Sequence, residues 1–242
     1  MNVSNVPADV RVLFVSRAVR LFAFGFLSVI LALYLDACGL SARTIGLVLT
    51  FALVGDAVLS LLITTSADRV GRRRMLIAGA ILMAAGAAAF ASTTNAAWLV
   101  VVAVIGVFSP SGSEVGPFLS IEQAALAQLV PARQRTTLFA RYVLVGSFAT
   151  AAGALAGGGV AGALQSKGMS PLESYRVLLW AYAACGLVLL VLFGRLTPSV
   201  EAATSASGVR RILGLHRSRG AVIKLSSLFA LDAFGGGFIV QN

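Results

Sequence analysis

The sequence predicts an all-α, polytopic membrane protein: a six-helix bundle, a linker, and the start of a seventh membrane helix. Three observations lead there. Of 242 residues, 58% are hydrophobic and 12% charged, against about 45–50% and about 25% in ordinary soluble domains. The apolar residues gather into runs long enough to cross a bilayer, which takes about 20 residues of helix. The arginines gather in alternate connections between those runs.

The runs fall at roughly 12–35, 44–65, 75–94, 97–126, 137–164 and 174–194, taking about 20 residues as one crossing. Residues 1–195 then form the bundle, 196–222 a linker, and 223–242 the beginning of a seventh span. The fourth run is the least regular. Ser109-Pro110-Ser111-Gly112 and Gly116-Pro117 interrupt it, and its length suits a tilted, kinked or partly unwound helix. The first run has no small-residue cleavage site behind it and reads as a retained span rather than a signal peptide.

Arg11 precedes the first span, Arg69 and Arg72–Arg74 follow the second, and Arg133 and Arg135 follow the fourth. Arg195, Arg210, Arg211, Arg217, Arg219 and Lys224 follow the sixth, while the other side holds only Arg43, Lys167 and Arg176. The positive-inside rule then predicts a cytoplasmic N-terminus. It also accounts for the net charge of +10, so no nucleic-acid partner is expected. The expected partners are the bilayer of the cell (plasma) membrane and a small solute. Cys38 and Cys185 lie far apart in apolar sequence and His216 is the sole histidine, so neither a disulfide framework nor a metal or cofactor site is expected.

The segment 197–208, small and polar, reads as a flexible linker. The basic stretch after it has some amphipathic character, suited to a solvated loop or to the anionic inner leaflet.

Ionisable residues inside a span cost about 2.5–3.5 kcal/mol each on insertion scales and point to function. They are Arg17 and Arg20 in the first span, Asp56 in the second, Glu114 and Glu122 in the fourth and Arg141 in the fifth. The third and sixth spans carry none in their apolar cores. Spans one, two, four and five are therefore expected to share a polar interior, with three and six outermost. The order polar, polar, apolar occurs twice, as in a three-plus-three repeat.

Asp56 lies 12 residues before Asp68, about 18 Å into the bilayer at 1.5 Å per residue, and Glu114 reaches a comparable depth. These two are the candidates for proton coupling or transport, with Arg17 and Arg20, which share a helix face. Arg17 and Arg20 can also snorkel to the inner surface. Glu122 and Arg141 lie at similar distances from the fourth-to-fifth connection and are expected to form a structural ion pair. Gly146, Gly153, Gly157, Gly158, Gly159 and Gly162 suit close helix packing in the fifth span.

Between the second and third spans the sequence reads Ala67-Asp68-Arg69-Val70-Gly71-Arg72-Arg73-Arg74. A solvated loop needs arginines but not this order of acid, glycine and arginine. It resembles the loop signature of the Major Facilitator Superfamily, Gly-x-x-x-Asp-Arg/Lys-x-Gly-Arg-Arg/Lys. The match covers Asp68, Arg69, Gly71, Arg72 and Arg73, with Thr64 in place of the leading glycine. The resemblance implies two six-helix halves around a central path, of which this chain looks like the first half, the linker and part of helix seven. It implies a secondary active transporter working by alternating access, with the Asp68–Arg74 loop latching the cytoplasmic side against the missing half. Export is favoured over uptake. The fifth span partly matches the antiporter glycine-proline motif, through Gly153, Gly157 and Gly162, but Gly158 stands at the proline position.

A channel or a non-transporting structural membrane protein is the alternative, and would need no ordered latch. An enzyme is not expected, because no nucleophile elbow or catalytic dyad is present. No GxxxxGK[ST] loop supports an ATP-driven pump.

Overall fold

A computed structural model describes residues 7–106, 117–201, 220 and 224–232. The described helices are α1 (Ala8–Ala37), α2 (Ala42–Val70), α3 (Arg72–Ala91), α4 (Ala96–Ile105), α5 (Pro117–Leu129), α6 (Ala132–Ser166) and α7 (Pro171–Gly194), and a 3₁₀ turn, Pro198–Val200, follows α7. The chain divides into two units, Met1–Ala202 and Ala203–Asn242. In the second, Gly220 and residues 224–232 are helical.

Five of these helices (α1, α2, α3, α6 and α7) are long and apolar enough to cross a membrane, and α4 is a shorter apolar helix. The fourth span thus differs from the single run read from the sequence. It is described as α4 and α5, and Glu114 with the proline- and glycine-containing stretch lies outside the described residues. Pro117 opens α5, at a position where its missing N–H costs nothing.

Local chemistry sets the other boundaries. The Ser41 hydroxyl accepts the Thr44 N–H at the start of α2. The Asn95 side chain accepts N–H groups of Ala97 and Trp98 at the start of α4. Ser170 and Glu173 form a reciprocal capping box ahead of α7, with Pro171 in the first turn, satisfying donors that a helix start leaves unpaired. Gly71, at φ 113°, both ends α2 and begins α3. A side chain would be strained there.

α1 packs chiefly on α6, α2 on α4, and α3 on α7. Numbered as spans, the pairs are one with five, two with four, and three with six. Exchanging one for four, two for five and three for six maps the first pair onto the second and the third onto itself. That is the packing of a three-plus-three repeat, consistent with the doubled order of polar and apolar spans.

Small residues bring each pair together. A Cβ on Gly153 would lie 2.0 Å from the carbonyl oxygen of Phe22, and one on Gly55 would lie 2.2 Å from that of Val104. A Cβ on Gly186 would meet Ala84 at 2.9 Å. These distances allow backbone approach only where no side chain intervenes.

Two expectations meet the structure here. Within this chain α3 and α7 bury more of themselves than α2 and α6 do, so the order of burial here differs from the order expected around a complete central path. The linker also does not begin free of the bundle. Residues Thr197–Glu201 are structured, Leu196 and Val200 are buried, and residues 202–219 lie outside the described residues.

Candidate functional site

Of the ionisable residues read inside the spans, Arg17, Arg20, Asp56 and Glu122 are buried. Three of them meet in one cluster. The Arg20 guanidinium donates to both oxygens of Glu122, at 2.9 and 2.8 Å, and neither side chain has any exposed surface. Ser16 donates to Glu122 Oε1 at 3.0 Å, and the Tyr142 hydroxyl donates to Oε2. The guanidinium of Arg20 also lies 4.6 Å from the centre of the Phe118 ring. Arg17 lies 4.0 Å over the ring of Tyr142, whose edge meets Phe14.

This geometry corrects the expected Glu122–Arg141 pair. Glu122 is engaged by Arg20 of α1, and Arg141 is exposed on α6. The next residue, Tyr142, turns inward instead. Equal depth along antiparallel helices is necessary for a pair, but a rotation of 100° per residue decides which side chain arrives. Nor does Arg17 or Arg20 snorkel, since both are buried. With both Glu122 oxygens occupied, the cluster fastens α1, α5 and α6 together. A buried, doubly hydrogen-bonded ion pair has little capacity left for a ligand.

Asp56 is different. It sits on α2 beside Gly55, where α2 and the α4 backbone touch. It is 1% exposed, and its Oδ1 has no hydrogen-bond partner among the described residues. A buried carboxylate oxygen in that condition is costly for structure alone.

The Asp68–Arg74 loop forms a second constellation, at the basic end of the bundle. Asp68 is largely exposed and takes a contact from Arg72 Nε at 3.1 Å. Arg72 also donates to the side-chain oxygen of Gln128, at 3.0 Å, and to the Val200 carbonyl. Arg73 donates to the carbonyl of Gly194 at 2.5 Å. Arg69 and Arg74 are exposed. Thr64, at the usual glycine position of the signature, hydrogen-bonds the hydroxyl of Ser120 at 2.9 Å, joining α2 to α5.

Sequence reasoning missed Ser16 and Tyr142 in the cluster, and Asp9, Gln128 and Glu201 at the basic end. A helical-face reading could have found Tyr142, which shares its face with Gly146, Gly153 and Gly157. Charge could have flagged Asp9 and Glu201. The chain has nine acids against 19 lysines and arginines, so an acid beside a basic loop is a candidate partner.

The apolar helices, their pairing and the buried charges define a multi-pass helical membrane protein. The chain belongs to the Major Facilitator Superfamily, whose family model matches residues 13–241. An uncharacterized membrane protein of Saccharomyces cerevisiae is 36% identical over 194 residues, 78% of this chain and 43% of that protein. Among solved structures, the human organic anion transporter MFSD10 is similar at TM-score 0.56 and 18% identity, covering 82% of this chain and 52% of its own. A D-xylose-proton symporter is similar at TM-score 0.57 and 20% identity, covering 96% and 55%. The chain therefore spans about half the length of the relatives it matches.

Proposed function

We propose that this chain is the first half of a secondary active transporter that moves a small solute by alternating access. The observation that carries this reading is Asp56, a buried carboxylate with an unpartnered oxygen inside a bundle of this family's fold. Its Oδ1 is buried and has no hydrogen-bond partner among the described residues, which leaves Asp56 available to something that comes and goes. A proton is the simplest visitor to such an oxygen, with Glu114 the second coupling candidate from the sequence. Two structural neighbours are described by unlike solutes, an organic anion and a sugar, so the shared fold leaves the solute unassigned.

In this reading the basic end faces the cytoplasm, the protein sits in the cell membrane, and the exposed apolar faces of α2 and α6 meet the second half. The Asp68–Arg74 loop gates the cytoplasmic side. The sequence favours export over uptake.

A thermal-shift panel of small solutes on the full-length protein identifies the cargo. Proteoliposomes with an imposed pH gradient then test coupling. Asp56→Asn is expected to abolish gradient-driven accumulation while solute counterflow persists, and Glu114→Gln to weaken it. Full gradient-driven flux in both variants would remove proton coupling through these residues. Flux without saturation or counterflow would favour the channel alternative.

A further inference from the structure

We propose that Arg195–Glu201 is a strap that fixes the signature loop, with Glu201 and Asp9 as its two positioning residues. The proposal concerns the loop that the transporter reading treats as a gate, and deepens that reading.

The first seven residues after α7 do not leave the bundle. They cross its basic end and are fastened at three places. At the far end, the Glu201 carboxylate accepts the backbone N–H of Arg72 at 2.6 Å and that of Arg73 at 3.3 Å. These are the first two amides of α3, donors with no partner inside their own helix, at the positive end of its dipole. A carboxylate supplied from 129 residues away thus does the work usually done by a local cap. Gly71 is needed twice over: its φ is 113°, and a Cβ on it would stand 3.2 Å from both Glu201 oxygens.

In the middle, Gln128 at the end of α5 donates to the carbonyls of Ser199 and Glu201, at 3.2 and 2.8 Å. Its own oxygen receives Arg72. Val200 is fully buried beneath. At the near end, Asp9 in the first turn of α1 accepts three hydrogen bonds. They come from the Thr197 N–H at 3.0 Å, the Thr197 hydroxyl at 2.6 Å and the Ser199 hydroxyl at 2.5 Å. Asp9 is itself buried, so its carboxylate depends on those donors.

The consequence falls on the signature residues. Arg72 and Arg73 are committed, through backbone and side chain, to the strap and to Gly194. Asp68 is left projecting, its side chain 70% exposed. The strap therefore decides which members of the loop are spent within this bundle and which face outward. Loss of Asp9 would loosen the strap at its root and reach the loop through Thr197–Glu201.

Amide hydrogen exchange on the 242-residue chain in lipid nanodiscs tests this without any transport assay, so its outcome is separate from that of the transporter reading. Glu201→Ala is expected to speed exchange of the Arg72 and Arg73 amides about 5–10-fold, as for a lost cap, with the α6 peptide around Gly153 unchanged. Glu201→Gln, which keeps an acceptor oxygen, should recover part of the protection. Asp9→Ala should speed exchange at Thr197 and also at Arg72 and Arg73. Unchanged Arg72 and Arg73 protection in Glu201→Ala would overturn the proposal. So would acceleration of the α6 control to the same degree, which marks general loosening. Faster exchange at Thr197 alone in Asp9→Ala would remove Asp9 from the strap.

Discussion

At the scale of single residues, the interior separates charges that hold the bundle from one that does not. Arg20 and Glu122 hold it. Removing one member of a buried pair leaves the other charge uncompensated, which costs about 3–5 kcal/mol. Arg20→Ala or Glu122→Ala should therefore lower the thermal unfolding midpoint in nanodiscs by many degrees. Arg141→Ala should move it little, because Arg141 is exposed. A large effect of Arg141→Ala would restore the pair that equal depth suggests. Tyr142→Phe removes one donor to a charged oxygen and should cost about 1.5–3 kcal/mol. The identities of the buried charges were legible from their placement in apolar runs. Their partners were not, because a one-residue step along α6 exchanges an exposed arginine for an inward tyrosine.

At the scale of elements, the glycines of α6 divide by what faces them. Alanine at Gly153 would place its Cβ 2.0 Å from a Phe22 backbone oxygen, and at Gly157 2.6 Å from Phe26 Cβ. Nothing lies within 4 Å of a Cβ at Gly158, Gly159 or Gly162. Backbone cannot step aside cheaply, so Gly153→Ala should separate α1 from α6 and cost about 1–3 kcal/mol, as overpacking does. Gly158→Ala in this chain should be neutral, or stabilising by up to about 1 kcal/mol through helix propensity. Thermal unfolding of the two variants side by side checks the contrast, and equal effects would refute it. The sequence showed six glycines suited to packing, but spacing alone did not divide them into buried and exposed faces. The strap was illegible for a related reason. Thr197–Glu201 is polar enough to read as linker, and what orders it comes from Asp9, Arg72 and Gln128, far off in sequence.

At the scale of the whole molecule, the spans were legible because hydrocarbon forces long apolar runs, and the repeat because charges avoid the same position in each triplet. The pairing of α3 with α7 was not, since an uncharged helix can face lipid or a partner equally well. Orientation remains as a proposal carried by the arginines, and it makes a sharp prediction. Arg74 lies in the first turn of α3 and Lys167 follows α6; both are exposed. Between them lie α3, the α4 and α5 pieces, and α6. If α4 and α5 together make one crossing, three crossings separate the two sites, and an odd number puts them on opposite sides. Cysteines placed singly at these positions, with Cys38 and Cys185 changed to serine, report this directly. In intact cells a membrane-impermeant maleimide should label Lys167→Cys, and should reach Arg74→Cys only after permeabilisation. The reverse pattern would invert the protein and place the signature loop outside. Labelling of both sites from one side would mean that α4 and α5 form a re-entrant pair rather than a span, and the two-fold correspondence between α1–α6 and α2–α4 would then have to be abandoned.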